Sequence, residues 1–251
     1  MKYFLTAVWG IVCVSVLAYG HIHWNQQTAV KAVQPVLTQE SNQIEGELYL
    51  ELAANWPDTA KQQLKLALEA EKPFKILFVG STDMEWEKTV TQSLEDSFGR
   101  DKISTAHYTY DQTTKDIVAE NKQLEFAAEK AQLVVIEPFL FNDNGKVKID
   151  VTLANVTKII EDMKAANPET TFILQPSYPI YLPNYYSVQV EALKEFAGEN
   201  NLHYLDHWTA WPATDNPEIK DYYVENSGPN EKGYQVWAQF LVDYFVNKKA
   251  N

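Results

Sequence analysis

A single cysteine, Cys13, in 251 residues excludes an intrachain disulfide, and no thiolate zinc site or dithiol redox pair can be built from it. Stability must therefore come from packing. Basic side chains are also scarce, 21 Lys and Arg against 34 Asp and Glu, and the formal net charge is -13. Polyanions are held by clustered cations, so this balance, with no basic run in the chain, excludes nucleic acid or an anionic lipid surface as the main partner. Glycine is sparse at 9 residues, and Gly80, which follows an apolar run, is not followed by the glycine spacing that cradles phosphates. No carboxylate and histidine spacing points to a metal, and nothing calls for a cofactor. There is no internal repeat or low-complexity tract.

What is present divides the chain in three. Residues 1–24 hold one long apolar run, Tyr3 to Tyr19, preceded by Lys2 and followed by Trp24. This reads as a transmembrane helix with its amino terminus in the cytoplasm, giving a single-pass cell-membrane protein whose carboxyl-terminal domain is extracytoplasmic. A cleaved signal peptide is the rival reading, with Ala18 and Gly20 as small residues before His21. Residues 25–72 read as a polar stalk followed by two lead-in helices, about Ile44 to Trp56 and Pro57 to Glu71. Residues 73–251 read as the globular domain.

Within that domain, short apolar runs alternate with segments of helical periodicity. Strands are expected at Phe74 to Val79, Ile103 to Tyr108, within Leu133 to Phe141, at Thr171 to Gln175 and at Leu202 to Leu205. The helices between them are expected near Glu85 to Phe98, Thr113 to Ala131, Val151 to Ala166 and Tyr185 to Asn200, with a last one from Asn230 to Asn247. Strands joined through helices demand right-handed crossovers and a parallel sheet covered on both faces. The fold class is α/β: a three-layer α/β/α domain with a central parallel sheet, flavodoxin-like or hydrolase-like.

In such a sheet, chemistry collects beyond the carboxyl ends of the strands. Three loops there carry polar groups: Gly80-Ser81-Thr82-Asp83, Phe141-Asn142-Asp143-Asn144-Gly145, and the long segment from Asp206 to Asn230. A hydroxyl, an amide and a third polar loop on one rim are the parts of an acyl-transfer site. Taken singly, the first is an ordinary turn with a helix cap and the second a common turn sequence.

Taken together and in this order, they resemble the SGNH/GDSL hydrolase family, and in particular its membrane-anchored extracytoplasmic branch in Gram-positive bacteria. Gly80-Ser81-Thr82 is similar to the family's nucleophile block and Leu140-Phe141-Asn142-Asp143 to its oxyanion block. DHWTAWP (Asp206 to Pro212) and GPNEKGYQVWAQFL (Gly228 to Leu241) resemble the branch's closing segment. The resemblance implies an SGNH-hydrolase-like fold, a nucleophile at Ser81 or Thr82, and an oxyanion donor at Asn142. It also implies an esterase or acyl transferase at the cell envelope, with an acylated glycan, teichoic acid or lipid as substrate.

One departure bears on activity. Where the family keeps Asp-x-x-His-Pro-Asn, this chain reads Glu225-Asn226-Ser227-Gly228-Pro229-Asn230, so Gly228 stands at the position of the general base. His207, which follows Asp206, is the candidate substitute, and His107 the weaker one. Hydrolysis with reduced activity is the first expectation. The alternative is a catalytically inactive module that binds an envelope glycan or a partner protein. Tyr178, Tyr181, Tyr185, Tyr186, Trp208, Trp211, Tyr222 and Tyr223 either line a cleft for sugars or acyl chains or pack the long loops.

Overall fold

The computed structural model describes residues 45–81, 84–225 and 227–248. The segments expected to form an anchor and a stalk, together with Cys13, Thr82 and Asp83, lie outside the described residues. Among the described residues, no helix is long and apolar enough to cross a membrane.

Five strands, β1 (Phe74–Ser81), β2 (Ile103–Tyr110), β3 (Leu133–Ile136), β4 (Thr171–Leu174) and β5 (His203–Tyr204), form one wholly parallel sheet in the order β2-β1-β3-β4-β5. Alternation along β1 sends its side chains to two separate cores. Phe74, Ile76 and Phe78 pack with helix α1 (45–52), α2 (Asp58–Glu69), α3 (Glu87–Phe98) and the last helix, α9 (Glu231–Phe245). Leu77 and Val79 face the other layer, made of α4 (Thr114–Ala119), α5 (Gln123–Ala128), α7 (Ile149–Ala166) and α8 (Tyr185–Glu199). The expected three-layer α/β/α arrangement is what forms.

The segment read as leading into the domain is part of its core. Leu52, Ala53, Trp56, Ala60 and Leu64 are buried, Trp56 Nε1 donates to the Phe245 carbonyl at 2.9 Å, and Asn247 N donates to the Leu52 carbonyl at 2.8 Å. These bonds tie the end of α1 and the turn after it to the end of α9 and the residues just beyond.

Two elements differ from the sequence reading. The helix expected over Thr113 to Ala131 is two helices, because Asn121 turns left-handed at φ 57° and Lys122 N donates back to Ile117 O at 2.9 Å. That is the closing pattern of a helix whose last residue tolerates positive φ. The apolar run Leu133 to Phe141 is a strand only as far as Ile136. Pro138 has no N–H for the ladder, Phe139 adopts φ 59°, and the chain re-forms as the short helix α6 (Leu140–Asp143).

Candidate functional site

At the carboxyl edge of the sheet, Val79 lies beside Ile136 and Ile136 beside Leu174. One residue further along each strand come Gly80, Glu137 and Gln175. The ladder continues to this level, with Glu137 N donating to Val79 O at 2.8 Å and Gln175 N to Ile136 O at 3.0 Å. A glycine, a carboxylate and an amide thus form a row across three strand ends.

Gly80 is required by close approach. A Cβ there would sit 2.8 Å from Glu137 Cβ and 2.3 Å from Met84 Sδ. With no side chain in the way, the Glu137 carboxylate reaches Ser81 and accepts its N–H at 2.8 Å through Oε2. Both residues are buried, Ser81 with 1% of its surface exposed. Ser81 Oγ has no hydrogen-bond partner among the described residues. Leaving a buried hydroxyl unpaired costs about 1–3 kcal/mol, and a role in chemistry or binding is one explanation for such a group.

Gln175 is oriented by Trp237, whose Nε1 donates to Oε1 at 3.1 Å. Its Nε2 is buried and has no partner among the described residues. Tyr186 lies within the electrostatic reach of Glu137. Burial, then the negative charge of Glu137, raises its phenol well above the usual tyrosine range, so it stays protonated.

Asn142, on α6, lies at the same sheet edge as Ser81. Its Nδ2 donates to the carbonyls of Tyr110 (3.3 Å) and Gln112 (3.0 Å), and Tyr110 is the register partner of Ser81. Both amide hydrogens therefore hold the exit of β2, and none is left for a developing oxyanion. The neighbouring Asp143 is buried and accepts from Thr114 N at 2.8 Å, from Thr114 Oγ1 at 2.6 Å and from Thr152 Oγ1. Burial raises its carboxyl above the usual range, with those hydrogen bonds opposing the shift.

His207 is fully buried and stacked on Trp237, with centroids 4.3 Å apart and planes at 11°. Its Nδ1 accepts from Trp211 Nε1 at 3.1 Å, which leaves Nε2 to donate to the Pro176 carbonyl at 2.9 Å. Burial lowers its pKa to about 3. The ring is neutral and has no lone pair left with which to take a proton from a hydroxyl. His107 is exposed on the edge strand β2, with Nδ1 3.7 Å from Glu87 Oε2.

Gly228, where the resemblance expects the base, is buried and has φ 94°, a backbone state that disfavours any side chain. The aromatic residues of the loops divide. Tyr178, Tyr186 and Trp211 are buried packing groups, whereas Tyr185 is 53% exposed. A groove of about 1230 Å³ runs along α9, lined by Trp86, Tyr222, Tyr234, Gln235, Phe240 and Tyr244, and neither Ser81 nor Glu137 borders it. Among the described residues, no group of three His, Cys, Asp or Glu could hold a metal ion.

No family model matches the sequence, and no curated protein does. Solved structures do match. Axe2, an acetylxylan esterase from Geobacillus stearothermophilus, is similar over 69% of this chain and 94% of its own, with 14% identity and a TM-score of 0.56. A GDSL-like lipase from Bacteroides thetaiotaomicron is similar over 75% of this chain and 98% of its own, with 16% identity and a TM-score of 0.51. A G-D-S-L family protein from Desulfitobacterium hafniense follows at 18% identity, 68% and 99% coverage, and a TM-score of 0.53.

The fold is that of the GDSL/SGNH lipases and esterases. On this SGNH fold, sequence reasoning pointed to the strand-end serine and passed over the two residues beside it. Glu137 and Gln175 each stand directly after a fully buried strand, LVVI and TFIL. A polar side chain at the end of a doubly buried strand was the signal that could have found them.

Proposed function

We propose that this chain is an SGNH-type esterase or acyl transferase of the cell envelope, with Ser81 as the attacking hydroxyl and a turnover well below that of enzymes with a complete triad. The observation that carries this reading is Ser81 Oγ, buried and without a partner among the described residues at the carboxyl end of β1. A hydroxyl without a base loses on the order of 10²–10⁴ in rate. That loss is expected here, because Gly228 occupies the base position and His207 is engaged at both nitrogens.

The burial of Ser81 favours a small acyl group, such as acetyl, over a fatty chain. An acetylated envelope glycan fits that size, and the similarity to an acetylxylan esterase is consistent with it. The apolar run near the amino terminus would hold the domain at the outer face of the membrane. Incubation with p-nitrophenyl acetate tests the reading: slow hydrolysis is expected from the wild type and background only from Ser81→Ala. Equal rates would remove it.

A second reading, a non-hydrolytic module that binds an envelope glycan or a partner protein, is favoured by Asn142. Its amide is spent on two backbone carbonyls. Glycan binding without any ester turnover would select that reading.

A further inference from the structure

The Ser81 N–H points at one oxygen of Glu137, 2.8 Å away, in a spot shielded from water. When a hydroxyl attacks an ester, the N–H of the nucleophile's own residue is a natural donor to the oxyanion that forms. Here that donor already serves an acceptor of the same kind, a carboxylate oxygen. A carboxylate at that place competes with an arriving oxyanion for the same N–H, and any charge it carries repels one strongly where water is excluded.

The local sequence is built to allow this contact. Gly80 leaves the space that Glu137 crosses, since a Cβ at residue 80 would lie 2.8 Å from Glu137 Cβ and 3.1 Å from the Glu137 carbonyl oxygen. Pro138 and the left-handed Phe139 then turn the chain away immediately after the carboxylate.

We infer that the Ser81 amide is an anion-binding site that Glu137 keeps filled, its carboxylate standing where an acyl oxyanion or a small free carboxylate would bind. The inference rests on the esterase reading for the meaning of the oxyanion's place. The anion site itself is a property of the strand end and is measured without turnover. Removal of the Glu137 side chain opens the site.

Glu137→Gln keeps an acceptor oxygen for the Ser81 N–H and discards the charge. If Glu137 served only to hold the strand end, this variant would react with a fluorophosphonate at the wild-type rate. Labelling of Ser81 faster by about tenfold or more is expected instead, and an equal or slower rate overturns the inference. Glu137→Ala is then titrated with sodium acetate. A saturable rise in its thermal midpoint of roughly 2–4 °C is expected, absent from the wild type and from sodium chloride at matched ionic strength.

If Glu137→Ala is unfolded in plain buffer, refolding in acetate but not in chloride is the same result by another readout. Absence of any acetate-specific effect on this variant, folded or not, overturns the anion site. If neither wild type nor Glu137→Gln is labelled, the esterase reading falls. The acetate titration still judges the anion site on its own.

Discussion

Gly80→Ala adds one methyl group at the point where β1 meets the end of β3. The new Cβ would lie 2.3 Å from Met84 Sδ, 2.8 Å from Glu137 Cβ and 3.1 Å from the Glu137 carbonyl oxygen. Met84 Sδ ends a flexible side chain and can swing away. Glu137 Cβ cannot, because its backbone N–H is bonded to Val79 O at 2.8 Å and the next residue is Pro138. Forcing a methyl into a packed site of this kind costs about 1–3 kcal/mol. Gly198→Ala is the matched control: it lies within α8, and a Cβ there meets nothing within 4 Å. Alanine stabilises a helix interior by roughly 0.5–1 kcal/mol over glycine. Two chemically identical substitutions should therefore separate by about 1.5–4 kcal/mol, read as urea midpoints at constant slope. If Gly80→Ala proves neutral, or as stabilising as Gly198→Ala, the close approach of Glu137 to β1 is refuted.

Three further outcomes follow from the same geometry. His207 is neutral in the fold down to a pKa of about 3 but titrates near 6.5 once unfolded. The unfolded chain alone therefore takes up this proton as the pH falls from 6.5 towards 3, and stability drops through that window. The loss reaches about 3 kcal/mol two pH units below 6.5, and comparing urea midpoints at pH 7 and 4.5 should show a shallower fall for His207→Gln than for wild type. Asn142→Ala should slow fluorophosphonate labelling of Ser81 by less than about tenfold, whereas removing a working oxyanion donor costs on the order of 10²–10³. Trp237→Phe strips the donor from Gln175 Oε1, a bond of 3.1 Å, and should cost about 1–3 kcal/mol in chemical denaturation.

Much of the architecture was legible in local patterns. Apolar runs such as Ile76 to Val79 and Leu133 to Ile136 carry the signature of strands buried on both faces, and their alternation with helical segments dictates parallel pairing. Boundaries failed where one residue outweighed a pattern, as at Asn121 and Pro138. The site was only half legible. Ser81 and Asn142 do come to one edge, because Ser81 ends β1 and Asn142 follows β3 of the same sheet. What Asn142 and His207 Nε2 bind could not be read, since Tyr110, Gln112 and Pro176 reach them only through tertiary packing. Helical spacing sets Tyr234, Trp237 and Phe240 on one face of the last helix, and of the three only Trp237 is buried. Tyr234 and Phe240 are only partly buried, and the buried stripe continues instead through Ala238, Leu241, Val242 and Phe245.

The central claim is that the strand-end serine is the reactive group of this SGNH fold. Peptide mapping by mass spectrometry after prolonged exposure of the wild-type protein to a fluorophosphonate tests it most directly. A single adduct on Ser81, lost in Ser81→Ala, is predicted. An unmodified protein, or an adduct on Thr82 instead, would contradict the account.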